Sequence, residues 1–153
     1  MDAPATRARQ AQALELRRTI PAPCQKVFEA WTDPEVVGRW FAPTAEYRII
    51  VHELDLRVGG RYRFEMRHPD KPTHIAVGVY REIEAPSRLV FTWRWEGRDA
   101  MPETEVALDF LARGESTELT LTHRGFDEAA DRDRHSEGWS GCLTMLAATM
   151  QAT

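Results

Sequence analysis

Between Tyr47 and His123 the chain repeats one pattern six times: a short segment with apolar residues at every second position, closed by a turn signal. Period-two alternation turns one face of a strand inward and the other outward. Six such segments in succession, joined by short connections, predict an antiparallel sheet of hairpins with one buried face. The clearest is RYRFEMR, Arg61 to Arg67. Tyr62, Phe64 and Met66 share one side of it, while Arg61, Arg63, Glu65 and Arg67 form an expected solvated side. Gly59-Gly60 turns the chain into this strand from one expected over residues 47–56. The others are expected over residues 73–84, over Arg88 to Trp95 with Leu89, Phe91, Trp93 and Trp95 together, around Val106, Leu108 and Phe110, and around Leu119, Leu121 and His123.

The flanks have a different period. Leu14 to Ile20 alternates as a further strand, and Pro21 and Pro23 stop it. A helix over residues 23–31 puts Val27, Phe28 and Trp31 on one face. Asp33 caps a second short helix that starts at Pro34 and runs to Trp40 or Phe41. Residues 127–150 contain no proline and carry Trp139, Leu143, Leu146 and Met150 at i, i+4, i+7 and i+11, which predicts one long helix. Gly138 and Gly141 weaken it intrinsically, and beside Trp139 they offer close approach to the sheet or room for a guest. The expectation is an α+β fold: a loose arm over residues 1–13, then a single domain over 14–153. One helix about 10 Å wide cannot fill a broad curved sheet. Large side chains, the short helices or a ligand must occupy the rest.

Composition narrows the function. Hydrophobic residues at 42% and charged residues at 29% describe a globular chain. A net charge of −4 gives no electrostatic reason to expect nucleic acid. No apolar run approaches the roughly 20 residues of a membrane span, and the N-terminus has no apolar signal core. These features predict a cytoplasmic protein without membrane insertion. Cys24 and Cys142 are distant and share no motif, which predicts two free thiols.

The five tryptophans carry the functional argument. Each taken singly reads as core packing. Trp93 and Trp95 on one strand, facing Trp139, read together as the wall of an apolar pocket. Trp31 and Trp40 on the short helices, Phe64 and Met66 on the strand after Gly60, and Leu143 on the long helix extend that candidate lining. His74, Tyr80 and His123 are the candidate polar contacts; for His123 a purely structural role competes. His52, His68, His74, His123 and His135 lack the spacing of a zinc site, and His68 is expected to be solvated. No G-x-S-x-G, P-loop or G-x-G-x-x-G motif occurs, and Ser140 falls inside a helix. Glu53 and Asp55 are expected to be solvated or paired with arginine. No catalytic set, metal or cofactor is therefore expected.

Four blocks together resemble one family: PAPCQKVFEAWTDPEVVGRWF from Pro21, ELDLRVGGRYRFEMR from Glu53, GVYREIEAPSRLVFTW from Gly78 and EGWSGCLTMLA from Glu137. They are similar to the START-like helix-grip superfamily, in the branch named for the activator of the ninety-kilodalton heat-shock chaperone's ATPase. The resemblance covers about residues 14–149. It implies a curved antiparallel sheet wrapped around a long C-terminal helix, with two short helices after the first strand and a pocket between sheet and helix. Fold does not choose among the functions of such a superfamily. The leading expectation is a binding protein for a small apolar or aromatic ligand, as a monomer or homodimer. The alternatives are a chaperone-cofactor-like interaction domain and an enzyme, a cyclase or hydrolase of polyketide-like substrates. The activator's separate N-terminal domain has no counterpart here, so stimulation of a chaperone is not expected.

Overall fold

The computed structural model describes residues 13–152. The arm expected over 1–13 lies, apart from Ala13, outside the described residues. The chain runs through strand β1 (Leu14–Ile20), helices α1 (Cys24–Thr32) and α2 (Pro34–Trp40), six strands, and helix α3 (Ala129–Gln151). The six strands are β2 (Arg48–Leu54), β3 (Arg61–Arg67), β4 (His74–Glu84), β5 (Arg88–Trp95), β6 (Thr104–Arg113) and β7 (Ser116–Arg124). They form one sheet in the order β1-β7-β6-β5-β4-β3-β2. Consecutive strands from β2 to β7 are antiparallel neighbours, as short hairpin connections require. β1 joins the far edge, with Leu14 opposite His123 and Leu16 opposite Leu121. The first two strands thus lie at opposite edges, and α1 and α2 carry the chain between them. Register shifts at Val51/Glu53 and Tyr80/Glu82 are bulges, which bend a sheet.

α2 begins as its sequence predicts, with the Asp33 carboxylate accepting from the Glu35 amide at 3.0 Å and Pro34 in the first turn. α3 is fastened to the sheet edge by Arg18 of β1, which donates to Ser140 Oγ at 2.7 Å and to Thr144 Oγ1 at 3.1 Å. Its buried residues are Trp139, Cys142, Leu143, Leu146 and Met150. The α3 glycines divide the two roles expected of them. A Cβ on Gly141 would meet Pro43 O at 2.3 Å, so the helix passes closely over the loop after α2 rather than over the sheet. A Cβ on Gly138 would meet nothing within 4 Å.

Two surface expectations need correction. Glu65, on the side of β3 expected to be solvated, is 6% exposed. His52 lies 2.7 Å from its carboxylate and Arg67 also binds it, and these contacts hold its acid below the ordinary carboxylate range. His68 is not solvated: its side chain is 5% exposed, 3.1 Å from Glu46 and edge-on to Tyr47. A loop residue next to a strand end can fold back onto the sheet, and alternation says nothing about that. Asp55 pairs with Arg57, as expected, and Cys24 and Cys142 are both free. Among the described residues no helix is long and apolar enough to cross a membrane.

Candidate functional site

A cavity of about 280 Å³ opens between α3 and the β3–β5 part of the sheet. Its sheet wall is Met66, His74, Trp93 and Trp95, and the turn after β5 adds Arg98 and Met101. Phe41, Pro43 and Tyr47, from the α2–β2 connection, close one side. α3 presents Asp131, Arg134, His135, Gly138, Trp139 and Cys142. Apart from Trp139, that set follows i, i+3, i+4, i+7 and i+11, one continuous helical stripe. It lies beside the apolar stripe of Leu143, Leu146 and Met150, so the helix buries one stripe in core and turns the next to the cavity. Gly138, in the middle of the cavity stripe, leaves the space that a side chain would fill.

Two Trp–His pairs frame the site. Trp139 Nε1 donates to His123 Nδ1 at 3.0 Å. His123 Nε2 lies 2.7 Å from Thr104 Oγ1, whose hydroxyl donates to the Trp93 carbonyl at 2.8 Å. With the one hydroxyl proton committed, Nε2 must be the donor in that contact, and the imidazole is neutral. Burial, and after it the neighbouring His135, holds His123 well below the usual histidine range. In the second pair Trp95 Nε1 donates to His135 Nε2 at 3.1 Å, and His135 Nδ1 donates to Asp131 O at 2.7 Å. Burial lowers this imidazole's affinity for a proton as well, against the raising effect of Asp131. His74 stacks obliquely on Trp95, with centroids 5.6 Å apart, and is lowered first by burial and then by the charge of Arg98.

The tryptophans form an unbroken chain. Successive ring centroids are 4.6 Å apart from Trp40 to Trp31, 6.0 Å to Trp139, 5.0 Å to Trp93 and 5.2 Å to Trp95. Trp40 Nε1 donates to Ala30 O at 2.7 Å. Among the described residues two indole N–H groups are buried without a partner, those of Trp31 and Trp93. A buried donor left unmade costs about 1–3 kcal/mol. Trp93 lines the cavity; Trp31 lines a second void of about 10 Å³, which Phe41, Tyr62, Phe64, Tyr80 and Phe91 complete.

The structure therefore brings together Met66, His74, Trp93, Trp95 and Trp139 of the expected lining, and separates the others from it. Trp31, Phe64 and Tyr80 surround the small void, while Trp40 and Leu143 are fully buried core. The reason is distance along the strands: His74 and Tyr80 lie six residues apart on β4, about 20 Å at roughly 3.3 Å per residue. A guest of this cavity's size cannot touch both. His123 is also withdrawn, because both its nitrogens are used by Trp139 and Thr104. Sequence reading missed Phe41, Pro43, Tyr47, Arg98 and Met101 from the connections, and Asp131, Arg134, His135 and Cys142 from α3. The α3 members carried a signal, since they recur at helical spacing next to Trp139. Arg98 lies in a turn, where no periodicity reaches.

As chemistry the site is apolar with a polar rim. The Cys142 thiol is pushed up to about 12 by burial, which leaves it un-ionised and a poor nucleophile. Asp131 is occupied by Arg134. Among the described residues no three His, Cys, Asp or Glu side chains group to hold a metal ion.

Comparison with known proteins agrees with the geometry. Protein CV1439 from Chromobacterium violaceum superposes with a TM-score of 0.83 at 25% identity, over 92% of this chain and 97% of its own. CalU16 from Micromonospora echinospora gives 0.68 at 28% identity, over 90% of this chain and 75% of its own. A protein from Arthrobacter aurescens, at 19% identity, shares the fold with a TM-score of 0.83 over 94% of this chain and 88% of its own. No curated protein matches the chain. The model of the family described as Activator of Hsp90 ATPase homolog 1-like protein matches residues 21–151, and the chain belongs to that family, with its START-like helix-grip fold.

Proposed function

We propose that this protein binds a small apolar or aromatic molecule in the cavity between the sheet and α3. The observation that carries this reading is a cavity of about 280 Å³ walled by the rings of Trp93, Trp95 and Trp139. An empty cavity of about 150 Å³ already accepts benzene, so this one suits a molecule of about two fused rings. Family membership agrees with a ligand-binding or cofactor-like domain in general.

Other readings have less support. A catalytic site needs a nucleophile or an acid–base pair. His74 is a neutral imidazole in the wall, but the neighbouring thiol is not ionised and the neighbouring Asp131 is paired. A chaperone-interaction domain needs a broad exposed apolar surface. Among the described residues the exposed large hydrophobics are Leu56, Val58 and Leu111.

Gly138 supplies the test. Gly138→Leu places a side chain in the cavity at a position where a Cβ meets nothing, so the fold should tolerate it. Calorimetric titration and thermal shift with bicyclic aromatics and polyketide-like compounds should show binding to the native protein and none to the variant. Native mass spectrometry of freshly purified protein should show a bound small molecule that the variant lacks. Ligands that bind both proteins equally would place the site elsewhere and end this reading.

A further inference from the structure

Resting on the binding reading above, we infer that the ligand carries a carboxylate, which Arg98 captures at the rim. Trp93 and the ring wall account for an apolar body only. In such a pocket a few polar groups at fixed places set a ligand's orientation and specificity.

The turn after β5 holds such an anchor. Gly97 adopts φ +84°, the Arg98 amide donates to Trp95 O at 3.2 Å, and the Met101 amide donates to Arg98 O at 3.1 Å. This turn forms a lip, and both Arg98 and Met101 line the cavity beside Trp95. Among the described residues the Arg98 guanidinium has no ion pair and no hydrogen bond, unlike Arg63, which Glu96 engages, and Arg88, which Glu82 and Asp109 engage. The charge of Arg98 acts on both His74 and His135, the two imidazoles flanking Trp95.

The other ionisable groups of the lining leave that charge uncompensated. Asp131 and Arg134 neutralise each other. His135 is held neutral with both nitrogens in use, and Cys142 stays a thiol. At neutral pH the cavity therefore presents one net positive charge above an apolar floor, with His74 beside it as a neutral N–H donor. A planar carboxylate matches a single guanidinium with two parallel hydrogen bonds. A phosphate dianion calls for a second free cation, and Arg134 is already occupied.

The test uses a matched pair, 2-naphthoate and its neutral amide, titrated calorimetrically at pH 8 and low ionic strength. Naphthoate should bind about tenfold more tightly than naphthamide. Arg98→Gln should weaken naphthoate about tenfold and leave naphthamide within about twofold, because an exposed turn residue carries no packing. Equal affinities for the two compounds, or a naphthoate preference that survives Arg98→Gln, would overturn the anion assignment. The cavity reading stands in those cases provided Gly138→Leu abolishes naphthamide binding. No heat and no thermal shift with either compound would overturn both.

Discussion

The two ends of the same sheet-and-helix grip are lined by the same kind of residue, yet one is packed shut and the other is open. At the closed end Trp31, Phe41, Tyr62, Phe64, Tyr80 and Phe91 leave a void of about 10 Å³, room for at most a single water. At the open end Phe41, Trp93, Trp95 and Trp139 border about 280 Å³. Aromatic content does not distinguish them. The difference lies in what faces the rings. Tyr62 extends its hydroxyl to the Thr92 carbonyl across Gly78, where a Cβ would meet the Tyr62 ring at 2.6 Å, so a glycine here is filled by its neighbour. Gly138 at the open end has no neighbour to fill it, and around it stand an ion pair, two imidazoles and an arginine. Aromatic-rich grips become pockets where the covering helix turns a stripe of small and polar residues toward the rings.

The largest expected effect tests whether the closed end is core. Trp40→Ala should lower unfolding free energy by about 3–5 kcal/mol in urea denaturation, with little change in affinity for a cavity ligand. A loss below about 0.5 kcal/mol, the scale of a surface substitution, would break the contrast. Thr104→Val should cost about 1–3 kcal/mol, because it leaves the His123 Nε2–H without an acceptor and the Trp93 carbonyl without its donor. A neutral result would mean that the Trp139–His123–Thr104 relay is not what joins α3 to the sheet.

Acid should act at the open end, through the buried imidazoles of His123 and His135. His123 and His135 bind protons less readily in the fold than in the unfolded chain, where the histidine value is about 6.5. Below that value the unfolded state holds more protons, so stability falls as pH falls, by up to about 1.4 kcal/mol per pH unit for each histidine. The loss should be visible in melting temperature between about pH 6.5 and 5, above the range where Glu65 takes up its proton. In the His123→Asn variant the slope should be shallower; an unchanged slope would show that His123 does not titrate in this way. The smallest effect separates the two α3 glycines. Gly138→Ala should stabilise by about 0.5–1 kcal/mol through helix propensity, whereas Gly141→Ala should destabilise, because its Cβ would run into the backbone of Pro43.

Much of the architecture was legible because alternation is a strong signal. β1, β3 and β5 occupy the residues their periodicity predicts, and Asp33-Pro34 starts α2 where capping chemistry places it. The strand expected to reach Leu56 ends at Leu54, where the Arg61 carbonyl binds the Asp55 amide and Asp55 ties to Arg57. The site was half legible. Period two assigns a side chain to a face but not to a position along the strand, so His74 and Tyr80, or Trp93 and Phe91, look equivalent although they serve opposite ends. On α3 the apolar stripe through Leu143 stood out, while the cavity stripe through His135 and Gly138 did not, since a wall that faces a void need not be hydrophobic. Arg98 depends on the path of a turn.

The row of five indoles from Trp40 to Trp95 spans both ends, with each ring within about one ring diameter of the next. Rings so close exchange electronic excitation faster than they emit, so a photon absorbed at Trp40 in the sealed core can be lost at Trp95 beside the rim. The protein thus behaves optically as one antenna rather than five separate chromophores. Its emission can therefore report on the open end even when the light is absorbed in the core.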